Sequence, residues 1–193
     1  MQFIIVGIGG QGILFTSKVL GKLAISRNQS VIGSEVHGMA QRGGSVISHF
    51  KIGDYKSPLV KTGEADVLIA FDQDEGIRNL PFLKKGGIFV VNVHNDKVFE
   101  NKNLNDYMVS RNIICNKLYG YNILDSEMAG KYLFLNVLIM GKACACGING
   151  LEPEIVRKAL EELAPPQFLS ENLKVFDLGL KTPPCVLHSK EGK

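Results

Sequence analysis

Gly7, Gly9 and Gly12 stand at G-x-G-x-x-G spacing within Ile5-Val6-Gly7-Ile8-Gly9-Gly10-Gln11-Gly12, directly after an apolar, β-branched run. Glycine permits a tight turn and lets an anion approach the backbone. A helix starting there offers unpaired amides and the positive end of its dipole. The chemistry open to this segment is phosphate binding. A mechanical reading stands beside it, in which the glycines only allow a tight turn and close helix–strand packing, and spacing alone does not separate the two. A dinucleotide site would add an acidic residue ending the second strand. Glu35, 23 residues after Gly12, could fill that part, although it runs into a loop rather than a crossover helix.

A second segment, His37-Gly38-Met39-Ala40-Gln41-Arg42-Gly43-Gly44, follows the next strand. Arg42 beside glycines could hold a pyrophosphate or carboxylate through two parallel N–H bonds. It could equally cap carbonyls and stiffen the loop for docking of another subunit. The candidate binding set is therefore Gly7, Gly9, Gly10, Gln11, Gly12, Gln41, Arg42, Gly43 and Gly44. No residue is assigned to catalysis or to a metal. His37 has no nucleophile and carboxylate spaced around it and reads as a loop hydrogen-bonding residue, and His49 reads as structural. Asp72, Asp74 and Glu75 sit where a strand gives way to a helix, where acidic residues answer the helix dipole rather than a metal.

These segments need a frame. Residues 3–6, 31–36, 45–52, 65–71, 88–93 and 112–115 read as strands, from continuous apolar runs or strict alternation. Helices are expected over 13–27 and 72–85, the latter kinked or divided by Pro81 and ended by Gly86-Gly87. A third, capped by Asp125 or Ser126, is expected over about 127–146, apolar almost all round and so buried against the sheet or a partner. A fourth starts at Leu151-Glu152-Pro153 and stops at Pro165-Pro166, and a short segment near 170–180 closes the chain. The order predicts an α/β fold: an open, mostly parallel, Rossmann-like sheet with helices on both faces and a helical C-terminal third. Residues 1–181 read as one domain and 182–193 as a tail that docks or is disordered. Both glycine segments would line the carboxyl edge of the sheet, where such folds bind ligands.

Composition removes several function classes. With 193 residues, a net charge of +3 and no basic stretch interleaved with aromatics, the chain lacks a nucleic-acid footprint. It opens straight into a strand with no leader pattern, and no apolar run is long enough to span a bilayer, so the expected location is the cytoplasm. Cys144 and Cys146 would project about 200° apart on a helix. With Cys115 and Cys185 they form no C-x-x-C and read as reduced thiols, not as zinc or iron–sulfur ligands.

The string from Glu35 to Val46, paired with the early glycine turn, with Ser57-Pro58-Leu59 and with Gly63-Glu64-Ala65-Asp66-Val67-Leu68, resembles the gamma-type subunits of 2-oxoacid:ferredoxin oxidoreductases. The likeness runs from Phe3 to about Gly179, takes in Asn136, and is nearest to the small (beta) subunit of the indolepyruvate enzyme. Phe71-Asp72-Gln73 is more similar to gamma subunits of the pyruvate, ketoisovalerate or 2-oxoglutarate branches. The resemblance implies a non-catalytic subunit of a complex that cleaves a 2-oxoacid on thiamine diphosphate. Electrons then pass through iron–sulfur clusters to ferredoxin, and the acyl group goes to coenzyme A. Thiamine and clusters would sit on the partner chain, since Gly53-Asp54-Tyr55 is no thiamine motif and no cysteine ligand set is present. This chain would pack on that partner and contribute to a coenzyme A pocket, and alone it would be inactive. The reading from a different class is a free-standing Rossmann NAD(P)-dependent oxidoreductase or nucleotide sensor.

Overall fold

The computed structural model describes residues 1–38 and 43–183. β1 (Gln2–Ile8) enters the glycine turn and continues into α1 (Ile13–Ile25). β2 (Val31–His37) and β3 (Ser45–Ile52) follow, then β4 (Ala65–Ala70), α2 (Gln73–Asn79) and β5 (Leu83–Asn92). After them come α3 (Lys102–Ser110), β6 (Ile114–Leu118), α4 (Gly120–Met128), α5 (Leu135–Ala145), α6 (Pro153–Leu163) and α7 (Leu169–Lys181). The sheet order is β2-β3-β1-β4-β5-β6. β1, β4, β5 and β6 pair in parallel, while β3 runs antiparallel to both β1 and β2. The sheet is therefore mostly parallel, as expected, with one reversed strand inserted beside the first.

Both faces are covered. Phe3, Ile5, Phe50, Val67, Ile69 and Val90 point to the side of α1, α4, α5, α6 and α7. Ile4, Val6, Leu68, Phe89 and Val91 meet Leu80, Phe99 and Met108 on the other side. α5 is buried from Leu135 to Cys144, which its all-round apolar sequence demands. It crosses α7 where two glycines meet: a Cβ on Gly179 would lie 2.2 Å from the Leu138 carbonyl, and one on Gly141 2.3 Å from that of Phe176. Lys142, fully buried, donates from Nζ to the carbonyls of Thr182 and Pro183 as the chain leaves α7. The rest of the tail, 184–193, lies outside the described residues.

Several boundaries differ from the sequence reading. The helix expected over 72–85 stops at Asn79, passes through a 3-10 turn at Leu80–Phe82 that carries Pro81, and becomes β5 at Leu83. Gly86-Gly87 lies inside β5, in an excursion where Ala65 faces Leu83 but Val67 already faces Ile88. β6 lies at Ile114–Leu118, beyond the Asn112 turn, whose φ is 51°. Asp125 and Ser126 cap nothing, since they lie inside α4. The long helix is two helices, separated where Ala129 (φ 50°) and Gly130 (φ 71°) adopt the left-handed conformation that ends a helix.

On the α2 side, His49 is buried with its ring edge-on to Phe82, and its Nδ1 accepts the Val60 N–H (3.1 Å), pinning the loop between β3 and β4. That bond requires the neutral imidazole. Burial, and then the charge of Lys51, hold the pKa below its ordinary 6.5.

Two predictions follow from this packing. Gly179→Ala should destabilise by about 2–3 kcal/mol or more through overpacking of the α5–α7 crossing. Gly21→Ala on α1, where a Cβ would make only an ordinary 3.7 Å contact with Phe50, should be neutral or gain up to about 1 kcal/mol. Urea midpoints check both. The His49 contribution should be complete above pH 6.5 and be lost as pH falls from there through the lowered folded value, because the unfolded chain binds that proton more tightly. The advantage of wild type over His49→Asn should accordingly shrink on acidification, and a pH-independent gap would contradict it.

Candidate functional site

The carboxyl ends of β1, β4, β5 and β6 and the root of the β2–β3 connection meet at one edge. Gly12, at φ 85°, is the residue before α1, and no side chain caps the helix. Among the described residues, no side chain fills the first amides of α1. A Cβ at Gly12 would strike Asn136 Nδ2 at 2.4 Å, so glycine is required there both by conformation and by the approach of α5. Gly7 has no room either, since its Cβ would lie 2.5 Å from Gln11 Oε1. That oxygen accepts the Ile8 N–H (2.7 Å), and the Gln11 N–H donates to the Ile8 carbonyl (3.1 Å), locking the turn. Gly10, in contrast, is exposed at φ 103° with nothing near its Cβ position. Packing thus explains Gly7 and Gly12, and open access remains at Gly10.

The second segment does come beside the first. Gly9 N–H donates to the Gly44 carbonyl (2.9 Å), and Gly38 N–H donates to that of Ser45 (2.8 Å). Gly43 (φ 76°) has no described residue within 4 Å of where its Cβ would stand. Gln41 and Arg42, both in the expected binding set, lie outside the described residues. Ser45 Oγ donates to Glu75 Oε2 (2.6 Å), and Arg78 donates to the other oxygen of that carboxylate. Asp72 is the N-cap of α2, its Oδ1 accepting from the amides of Asp74 (3.0 Å) and Glu75 (3.1 Å). Asp72 therefore serves the helix start while the Glu75 carboxylate is taken by Ser45 and Arg78, and no cluster able to hold a metal occurs among the described residues.

The far wall comes from later strands, and sequence reasoning did not single out its side chains. Tyr121, from the first turn of α4, receives a long hydrogen bond from Gln11 Nε2 (3.5 Å) and packs edge-on against Tyr132 (5.2 Å). Burial, and then the negative charge of Asp72, push the Tyr121 hydroxyl up, partly offset by the Gln11 bond, so it stays a neutral donor. Gln73 Oε1 accepts the amides of His94 and Asn95 (3.0 Å each). Asn92 bridges the Gly120 N–H (2.9 Å) and the Phe71 carbonyl (3.2 Å), stitching the ends of β4, β5 and β6 together. Around this edge Leu14 (51%), Tyr132 (48%) and Leu133 (61%) are exposed. The arrangement supplies amides, an amide side chain and a phenol for holding a ligand, within an apolar rim.

Glu35 does not sit where a ribose-binding acid would. β3 lies between β1 and β2, which places Glu35, paired with Ser48, two strands from the glycine turn, about 10 Å in sheet spacing. The geometry does not favour a nicotinamide dinucleotide.

Comparison with known proteins agrees with this fold. Residues 2–182 match the family described as pyruvate ferredoxin/flavodoxin oxidoreductase. The chain is 32% identical over 178 residues to an indolepyruvate oxidoreductase subunit IorB of Methanothermobacter thermautotrophicus, covering 88% of this chain and 91% of the relative. It is 34% identical over 190 residues to the IorB subunit of Pyrococcus horikoshii, covering 93% and 94%. The fold matches the crystal structure of the pyruvate oxidoreductase subunit PORC of Thermotoga maritima with a TM-score of 0.72 at 20% identity, over 93% of this chain and 94% of that one. The chain belongs to the pyruvate ferredoxin/flavodoxin oxidoreductase family, as one of its small subunits.

Proposed function

We propose that this chain is the non-catalytic small subunit of an indolepyruvate-type 2-oxoacid:ferredoxin oxidoreductase. In that role it would lend its carboxyl edge to a crevice completed by the catalytic subunit. The observation that carries the substrate class is the identity of about one third to indolepyruvate subunits across nearly the full length of both chains. The partner would hold thiamine diphosphate and the iron–sulfur clusters and would pass electrons to ferredoxin. Coenzyme A is the ligand for which the edge of this chain is suited. Its phosphates fit the uncapped start of α1, and the open backbone at Gly10 and Gly43 leaves them room to approach. Gln11 and Tyr121 would orient what enters, and the proposed binding set retains Gln41 and Arg42 from the sequence. The exposed rim of Leu14, Tyr132 and Leu133 suits a second chain better than water. The complex would act in the cytoplasm.

The purified chain alone should show no 2-oxoacid-dependent reduction of a viologen dye, and should gain it, fastest with aryl pyruvates, when the catalytic subunit is added. Turnover by the lone chain would contradict this role. Calorimetric titration with NAD(H) and NADP(H) should show no micromolar binding, and saturation in that range would favour the free-standing oxidoreductase instead.

A further inference from the structure

Glu75 stands in the first turn of α2, yet its carboxylate does not face water as an acid serving only the helix dipole would. Its side chain is 9% exposed, whereas Asp74 beside it is exposed. A carboxylate taken out of water needs partners. Arg78, itself 65% exposed, supplies one to Oε1, and the Ser45 hydroxyl supplies the other to Oε2 at 2.6 Å. Ser45 opens β3 and is tied on both sides: its carbonyl receives Gly38 N–H, and the carbonyl just before it, on Gly44, receives Gly9 N–H. The hydrogen bond from Ser45 to Glu75 therefore fixes the root of the second glycine segment against a helix that grows from β4. A bond to a charged acceptor is the stronger kind, and Ser45 is the polar link between α2 and this root.

We propose that Glu75 is a positioning residue. Acting through Ser45, it holds Gly44 in register against Gly9, and so sets the arrangement of the exposed backbone at Gly10 and Gly43 offered to the phosphates of coenzyme A. The proposal rests on the coenzyme reading given above.

The test uses the enzyme reconstituted with its catalytic subunit. Ser45→Ala and Glu75→Ala should each raise the KM for coenzyme A about tenfold, as loss of a charge-assisted bond that orients a binding loop would. The kcat should stay within about twofold and the KM for the 2-oxoacid should not move. The double variant should be no worse than either single one, because both remove the same link. Glu75→Gln, whose amide oxygen can still accept from Ser45, should restore most of the affinity. Amide hydrogen exchange at 7–12 and 43–46 should be faster in both alanine variants. If Glu75→Ala fails to assemble, Ser45→Ala carries the test. Unchanged exchange and unchanged KM overturn the proposal. Faster exchange with an unmoved coenzyme KM supports the brace and overturns the coenzyme reading of the crevice.

Discussion

The hydrogen bond from Gly9 N–H to the Gly44 carbonyl depends on one constraint, the reversal of β3. In a doubly wound sheet the second strand lies next to the first, and its following loop leads away into a helix. Here the chain turns back after β2 and inserts β3 antiparallel to β1, from Ile8 opposite Ser45 to Gln2 opposite Lys51. The start of β3 is thereby delivered to the end of β1. Two glycine segments that are distant in purpose in a dinucleotide enzyme become neighbours. The same reversal moves Glu35 to the outer strand and takes away the acid a dinucleotide would use.

Everything around that pairing acts to hold it still. α5 presses Asn136 against Gly12, and α5 is itself seated by the glycine crossing with α7, where two backbones approach without side chains between them. From the opposite face α2 reaches the root of β3 through Glu75 and Ser45. Gln11 closes its own turn and touches Tyr121. Rigid elements on both faces thus determine the position of a short stretch of exposed backbone. Such an arrangement holds that backbone in a fixed geometry.

The sheet was legible in the sequence because its strands carry long apolar runs and its buried helix is apolar on every side. The boundaries that went astray have local causes. Pro81 marks a break, but the return to strand at Leu83 is hidden by Lys84-Lys85-Gly86-Gly87, which reads as a helix end and is an excursion within β5. Asp125-Ser126 has the composition of a cap but lies within α4, while the true stop, Ala129-Gly130, was masked by the apolar residues that follow. At the site, the glycines were legible because φ and close approach restrict residue type. Tyr121, Asn92 and Gln73 are not, since they arrive from α4, β5 and α2 and only the topology gathers them. Tyr119-Gly120-Tyr121 directly after a strand at the same edge was the available signal for the first.

The proposed role makes this edge, with its exposed Leu14, Tyr132 and Leu133, one half of a site shared with a second chain. The most direct measurement is hydroxyl-radical footprinting of the chain alone and in the reconstituted complex. Leu14, Tyr132 and Leu133 should lose reactivity on assembly, while Ile25 and Val109, exposed at the far end of α1 and on α3, keep theirs. Protection of Ile25 or Val109 with Leu14, Tyr132 and Leu133 unchanged would contradict a crevice shared between two chains at this edge.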